Sequence, residues 1–291
     1  MRYGLAWAAV WVIGAASAVA APPVPAGVEF TPDVTYATAG GEELKLNIAR
    51  PKDASKGPLP LVVIIHGGGW AAGKRTAHDD LVLNFAARGY VAATISYRFA
   101  PKHVWPAQIQ DAKAAVRFLR ASAEKYGIDK QRVGAIGFSA GAHLSMLLGT
   151  MDKADGLDDS GGNDGESSKV SAVVSFVGPT DLTATLPAVT TGIVKGFLGG
   201  TPAEKPEAAK RASPVTYVNA ADAATLMYAG TKDRLVPTEQ AVRMAEALTA
   251  AGVPGRVELL LGADHGWGGA EAARTAAGAF AWFEEWLKKA K

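Results

Sequence analysis

At 291 residues, 48% hydrophobic and 20% charged, the chain is long enough for one large mixed domain or two small ones and too apolar for a disordered protein. Its net charge of +2, without a dense Lys/Arg cluster, excludes an electrostatic nucleic-acid surface. The lack of cysteine removes disulfides, thiolate metal sites and a cysteine nucleophile.

In chain order, Met1-Arg2-Tyr3 is a short positive start and Gly4 to Ala16 an apolar run. Ala16-Ser17-Ala18 and Ala18-Val19-Ala20 both fit a small-residue cleavage site. The pattern predicts a secretory signal peptide over residues 1–20, cut after Ala18 or Ala20, and a periplasmic or extracellular protein with no stable membrane insertion afterwards. The competing readings are an uncleaved anchor and a buried helix, but the run falls short of the roughly 20 residues a spanning helix needs. Residues 21–29, opening with Pro22-Pro23-Val24-Pro25 after Ala21, read as an extended linker. Residues 30–291 show no second hydrophobic pattern, so they read as one domain.

Val34 to Thr38 and Leu44 to Ala49 read as a hairpin turned at Gly40-Gly41. Leu44, Leu46 and Ile48 alternate with Lys45 and Asn47, which predicts one wet face. Pro51 to Pro60 reads as a loop, and Leu61 to Ile65 as a strand buried on both faces. His66-Gly67-Gly68-Gly69-Trp70 follows directly. A helix over Asp79 to Arg88, a strand over Tyr90 to Ser96 and a helix over Ala107 to Ser122 come next; Ile109, Ala112, Val116 and Leu119 line one face of the second helix. Arg132 to Ile136 is a strand leading to Gly137-Phe138-Ser139-Ala140-Gly141 and a further helix. The acidic stretch Thr150 to Ser168 reads as a solvated mobile loop; its acidic spacing does not match an EF-hand calcium loop. Beyond it lie a strand over Val170 to Val177, an irregular or short-helical stretch from Asp181 to Ala224, strands over Leu226 to Ala229 and Val257 to Leu261 with a helix over Glu239 to Ala251 between them, and a closing helix over Ala270 to Lys289. This alternation predicts an α/β fold with a mostly parallel sheet, an antiparallel edge from the first hairpin, and helices on both faces.

The chemistry centres on Ser139. A strand, a tight turn and a helix surround it, and the flanking glycines let the chain bend sharply and pack closely. The bland alternative is a helix N-cap. A serine hydroxyl needs a base, and the base an orienting acid. Of the five histidines, His265 sits in Gly262-Ala263-Asp264-His265-Gly266-Trp267, just past the last strand, where open α/β sheets build sites. His66 reads as a brace for the glycine loop and His143 as pointing into the fold; His78 and His103 have no assigned role. Asp233, after the preceding strand, gives the order Ser…Asp…His. The rival acid, Asp181, reads better as an N-cap, and Asp264 is badly placed to reach its neighbour's imidazole. Backbone amides of Gly68, Gly69 and Ala140 are the expected oxyanion donors, each worth about 3 kcal/mol in the transition state. Trp70 and Trp267 flank the expected site and read equally as sugar- or acyl-stacking surfaces or as packing.

Taken together, His66-Gly67-Gly68-Gly69-Trp70, Tyr97-Arg98-Phe99-Ala100-Pro101, Trp105-Pro106-Ala107-Gln108, the elbow at Ser139, Ser213-Pro214, Gly230-Thr231-Lys232-Asp233 and His265-Gly266 resemble the hormone-sensitive-lipase-like α/β-hydrolase esterases, in the branch with bacterial acetyl-xylan and feruloyl esterases. The resemblance runs from about residue 60 to the end. It departs at Ala142, where many relatives have glycine, and in lacking a long apolar cap, which argues against bulky lipids. It implies an α/β-hydrolase domain over 30–291 and a serine carboxylic-ester hydrolase acting on short-chain acyl or carbohydrate-linked esters. It implies neither metal nor organic cofactor and leaves the oligomeric state open. The alternatives are a serine peptidase or arylformamidase on the same scaffold, or a catalytically dead binding module.

Overall fold

Eight strands form one sheet in the computed structural model, which describes residues 22–53, 57–158 and 161–289. They are β1 (Val28–Ala39), β2 (Glu42–Pro51), β3 (Leu59–Ile65), β4 (Val91–Ile95), β5 (Ile128–Phe138), β6 (Ala172–Phe176), β7 (Ala224–Gly230) and β8 (Gly255–Leu260). Their order is β1-β2-β4-β3-β5-β6-β7-β8. β2 runs antiparallel to β1 and β4, and the remaining pairs are parallel. The expected signal peptide at residues 1–20 lies outside the described residues. The expected linker is shorter than residues 21–29, because Val28 already opens β1, buried and paired with Pro51.

The non-alternating apolar strands lie in the middle, where both faces are covered. Leu61, Val62, Val63, Ile64 and Ile65 are wholly buried. The helices are α1 (Asp79–Ala87), α2 (Ala107–Ala121), α3 (Ala123–Tyr126), α4 (Ala140–Thr150), α5 (Ala188–Leu198), α6 (Pro206–Arg211), α7 (Thr238–Ala250) and α8 (Gly269–Phe283), the last continued by a wider-wound turn at Glu284–Lys288. One core holds side chains of α2, α4, α5 and α7, including Ile109, Leu144, Val194 and Met244. The other holds those of α1 and α8, including Leu81, Phe85, Trp282 and Phe283. Among the described residues no helix is long and apolar enough to cross a membrane.

Two expectations about charge and exposure fail for the same reason: another segment covers the polar face. Asn47 is buried rather than wet. Its amide donates to Asp79 Oδ1 at 2.8 Å, and its oxygen accepts from Asp33 N and Arg75 Nε, both at 3.0 Å. The acidic stretch is not simply a solvated loop either. Asp158 pairs with Lys113 Nζ at 3.0 Å and with an Arg117 guanidinium nitrogen at 2.7 Å. Both cations are buried on α2. The loop therefore supplies the counter-charge that a buried ammonium and guanidinium require. Among the described residues no three His, Asp or Glu side chains converge as metal ligands.

Parallel strands place β3, β5 and β7 with their carboxyl ends on one rim, and β8 joins them. The segments leaving those four ends are the ones that carry His66 to Gly69, Ser139, Asp233 and His265.

Candidate active site

Ser139 occupies the bend between β5 and α4 with φ 52° and ψ −118°, a backbone conformation that side-chain-bearing residues rarely adopt. The flanking glycines explain how the bend closes. A Cβ on Gly137 would strike the Gly141 carbonyl, and one on Gly141 would strike the carbonyls of Ile65 and His66. Strand, bend and helix are thus in backbone contact, and nothing larger than hydrogen fits. Ser139 N donates to Phe176 O at 2.8 Å, which fixes the bend against β6. The hydroxyl makes no helix-capping bond, so the N-cap alternative does not describe it.

That hydroxyl lies 2.9 Å from His265 Nε2. On the other side of the ring, Nδ1 lies 2.8 Å from Asp233 Oδ2. With Nδ1–H donating to the carboxylate, Nε2 keeps its lone pair for the serine proton. The Asp233 carboxylate is fully shielded, while the His265 side chain keeps 20% of its exposure. Asp233 Oδ1 accepts the amides of Leu235 and Val236, both at 2.8 Å. One oxygen is held by the backbone of its own loop, which aims the other at the imidazole. Three residues spread from 139 to 265 therefore converge at the rim.

The glycine segment abuts the elbow. β3 and β5 are in register with Ile65 opposite Gly137, so the chain leaving β3 runs beside Ser139. A Cβ on Gly67 would lie 2.7 Å from the Phe138 carbonyl and 3.3 Å from Ser139 Cβ. Gly68 and Gly69 follow with φ of 117° and 58°. Ala140 opens α4, where the first amides have no partner within the helix. Helix α5 packs over this segment, with Ile193 against the open side of Gly69.

The remaining candidates separate by burial. Trp70 does not offer a stacking surface: it is 2% exposed, stacked on Phe197 at 4.2 Å, and its indole N–H donates to His143 Nδ1 at 3.2 Å. The α5 segment that buries it is more than a hundred residues away in sequence. Trp267 is half-buried, donates to Thr275 Oγ1 at 2.9 Å and leans on Phe176. His143 bridges inward, with Nε2 2.6 Å from the Ala212 carbonyl. Burial pushes His143 down to about 4. It pushes His66 down to about 4 and His78 to about 3, the latter helped by His66 nearby. His66 Nδ1 lies 2.8 Å from the Gly67 carbonyl, and its ring stacks on Tyr97. His78 stacks on Phe138, and His103 meets Glu42 at 3.1 Å.

Asp181 does not cap a helix. Its Oδ1 accepts from the amide and hydroxyl of Thr183, at 2.9 and 2.6 Å, and closes a turn. Thr190 was invisible as a site-neighbour in the sequence, yet its hydroxyl donates to the Leu235 carbonyl at 2.6 Å, fastening α5 to the Asp233 loop.

Residues 46–248 match the BD-FAE family. Esterase LipC of Mycobacterium tuberculosis is 33% identical over 79% of this chain and 58% of its own. The chain spans about half the length of the curated relatives it matches. Among solved structures, a truncated carbohydrate esterase from gut microbiota superposes with a TM-score of 0.79 at 27% identity, covering 90% of this chain and 97% of that one. A Thermogutta terrifontis esterase with butyrate bound gives a TM-score of 0.75 at 26% identity, over 91% and 97%.

Proposed function

The chain belongs to the BD-FAE family and has the α/β-hydrolase fold, and from that premise we propose that it is a serine carboxylic-ester hydrolase acting on short-chain acyl or carbohydrate-linked esters. The observation that carries this reading is the unbroken contact from Asp233 through His265 to the hydroxyl of Ser139 at a strained bend.

In this reading Ser139 Oγ attacks the ester carbonyl as its proton passes to His265 Nε2. Asp233 holds the imidazole by its Nδ1–H and stabilises the imidazolium. The carbonyl oxygen, now an anion, faces the amides of Gly68, Gly69 and Ala140. Collapse of the tetrahedral species breaks the bond to the alkoxy oxygen, which takes the proton from Nε2 and leaves as the alcohol. Water then gives a proton to the same nitrogen and attacks the acyl-serine; the acid departs and Ser139 recovers its proton. The carbohydrate-esterase and butyrate-bound likenesses support small acyl groups and sugar alcohols as substrates. The amino-terminal pattern of residues 1–20 supports a secreted enzyme.

The test is a substrate panel: acetylated xylan, methyl ferulate, and nitrophenyl esters from acetate to octanoate, with Ser139→Ala beside the wild type. Turnover of acetate and of acetylated xylan, lost in the variant together with fluorophosphonate labelling, is expected. Activity confined to long acyl chains would overturn the substrate class. Sequencing the amino terminus of the exported protein checks cleavage after Ala18 or Ala20.

A further inference from the structure

We infer that Asp264 is a positioning residue, joining the loop that carries the acid to the loop that carries the base and thereby setting where His265 stands against Ser139. The inference rests on the serine-hydrolase reading above. In the sequence Asp264 is merely the neighbour of His265, unable to reach the imidazole; the structure gives its carboxylate different partners.

Asp264 Oδ1 accepts two backbone amides, from Arg234 at 3.1 Å and from His265 at 2.9 Å. The first belongs to the residue directly after Asp233, the second to the base itself. Oδ2 accepts Arg234 Nε at 2.7 Å. The Asp264 carbonyl accepts the amide of Gly266 at 2.7 Å, closing a three-residue turn with His265 at its apex. The backbone that presents the imidazole is thus held from both sides by a single residue. The bases of the two loops are joined separately, through Lys232 N to the Ala263 carbonyl and Gly262 N to Thr231 Oγ1, both at 2.8 Å. Asp264 supplies the link at the residues adjoining the reacting groups.

The two backbone bonds matter more than the ion pair. The Arg234 side chain is 85% exposed, where screening leaves such a pair worth little. Asp264 itself is partly open to solvent, so water can take over the two amides if the carboxylate is removed. The loss would therefore appear in the placement of His265, with little change in stability. An amide side chain keeps an oxygen acceptor at the same reach, and a methyl group does not.

The experiment compares wild type, Ser139→Ala, Asp264→Asn, Asp264→Ala and Arg234→Ala on nitrophenyl acetate, with active sites counted by fluorophosphonate and melting temperatures recorded. Asp264→Ala should lower kcat per titrated site about 10- to 100-fold, as a displacement of about 1 Å does, with KM within about twofold of wild type. Asp264→Asn should recover most of the rate, and Arg234→Ala should behave as wild type. The role is overturned if Asp264→Ala keeps the wild-type kcat, if Asp264→Asn is as slow as Asp264→Ala, or if fewer titratable sites account for the whole loss. A wild type no faster than Ser139→Ala would overturn the ester-hydrolase reading and the positioning role together, a pattern distinct from the other three.

Discussion

Helix α2 and the rim at Ser139 use the same kinds of side chain to opposite ends. On α2, Asp111 is fully buried and meets Arg98 through Nε and a terminal nitrogen, the latter at 2.7 Å, while also accepting the Arg98 amide at 2.8 Å. Burial pushes the Asp111 carboxyl up, against the pull of Arg98. Further along the helix, Arg120 reaches the carbonyls of Lys130 at 3.0 Å and Lys169 at 2.8 Å. These groups are closed off, and every bond named joins two parts of the fold. At the rim the acid is equally buried and held, but the imidazole and hydroxyl beyond it remain partly open, on a backbone bent into an unfavourable conformation. An ion pair shut away from solvent fixes structure; a carboxylate–imidazole hydrogen bond that ends in a reachable hydroxyl is fit for chemistry.

The largest expected effect separates the two regions most sharply. Asp233→Asn keeps an acceptor for Leu235 and Val236 but favours the wrong imidazole tautomer, and should cut kcat about ten-thousandfold while the melting temperature holds. A large fall in melting temperature instead would make the rim structural as well. Next, Asp111→Ala strands the Arg98 guanidinium and should cost about 3–5 kcal/mol in a denaturation experiment, with kcat per folded molecule unchanged. If kcat falls at constant stability, α2 belongs to the site and the contrast collapses.

Acid comes third. His66, His78 and His143 are neutral in the fold, with values lowered to about 4, 3 and 4 from 6.5. Their contribution is whole above pH 6.5. It is lost as pH falls toward 4, because the unfolded chain binds protons that the folded one refuses. Each should cost on the order of 3 kcal/mol across that window, so melting temperature should drop steeply below pH 6.5. A flat profile down to pH 4.5 would mean these rings are not sealed. Smallest is Trp267→Phe, which keeps an aromatic ring but loses the 2.9 Å bond to Thr275. It should cost about 1 kcal/mol and leave KM alone. A several-fold rise in KM would move Trp267 to the reacting side as a substrate contact.

The sequence makes the sheet legible where burial is symmetric, since Leu61 to Ile65 has no alternation to interpret, and the elbow legible because Gly137 and Gly141 admit no substitute. Asp233 is legible through its place after β7. What stays hidden depends on segments distant in the chain. Trp70 sits beside the glycine motif, yet Phe197 buries it. Lys113 and Arg117 look like the wet face of an amphipathic helix until Asp158 arrives to neutralise them. The role inferred for Asp264 depends on two amides, and no amide is written in a side-chain alphabet.

β8 pairs only with β7 among the described residues, and Leu259 on it is 49% exposed. The imidazole therefore hangs from the end of an edge strand, hydrogen-bonded on one side only. On warming, that margin should fray before the middle of the sheet lets go. Turnover would then fade while the far-ultraviolet dichroism is still native, and return on cooling: a thermal cutoff set by one border of the molecule rather than by its melting.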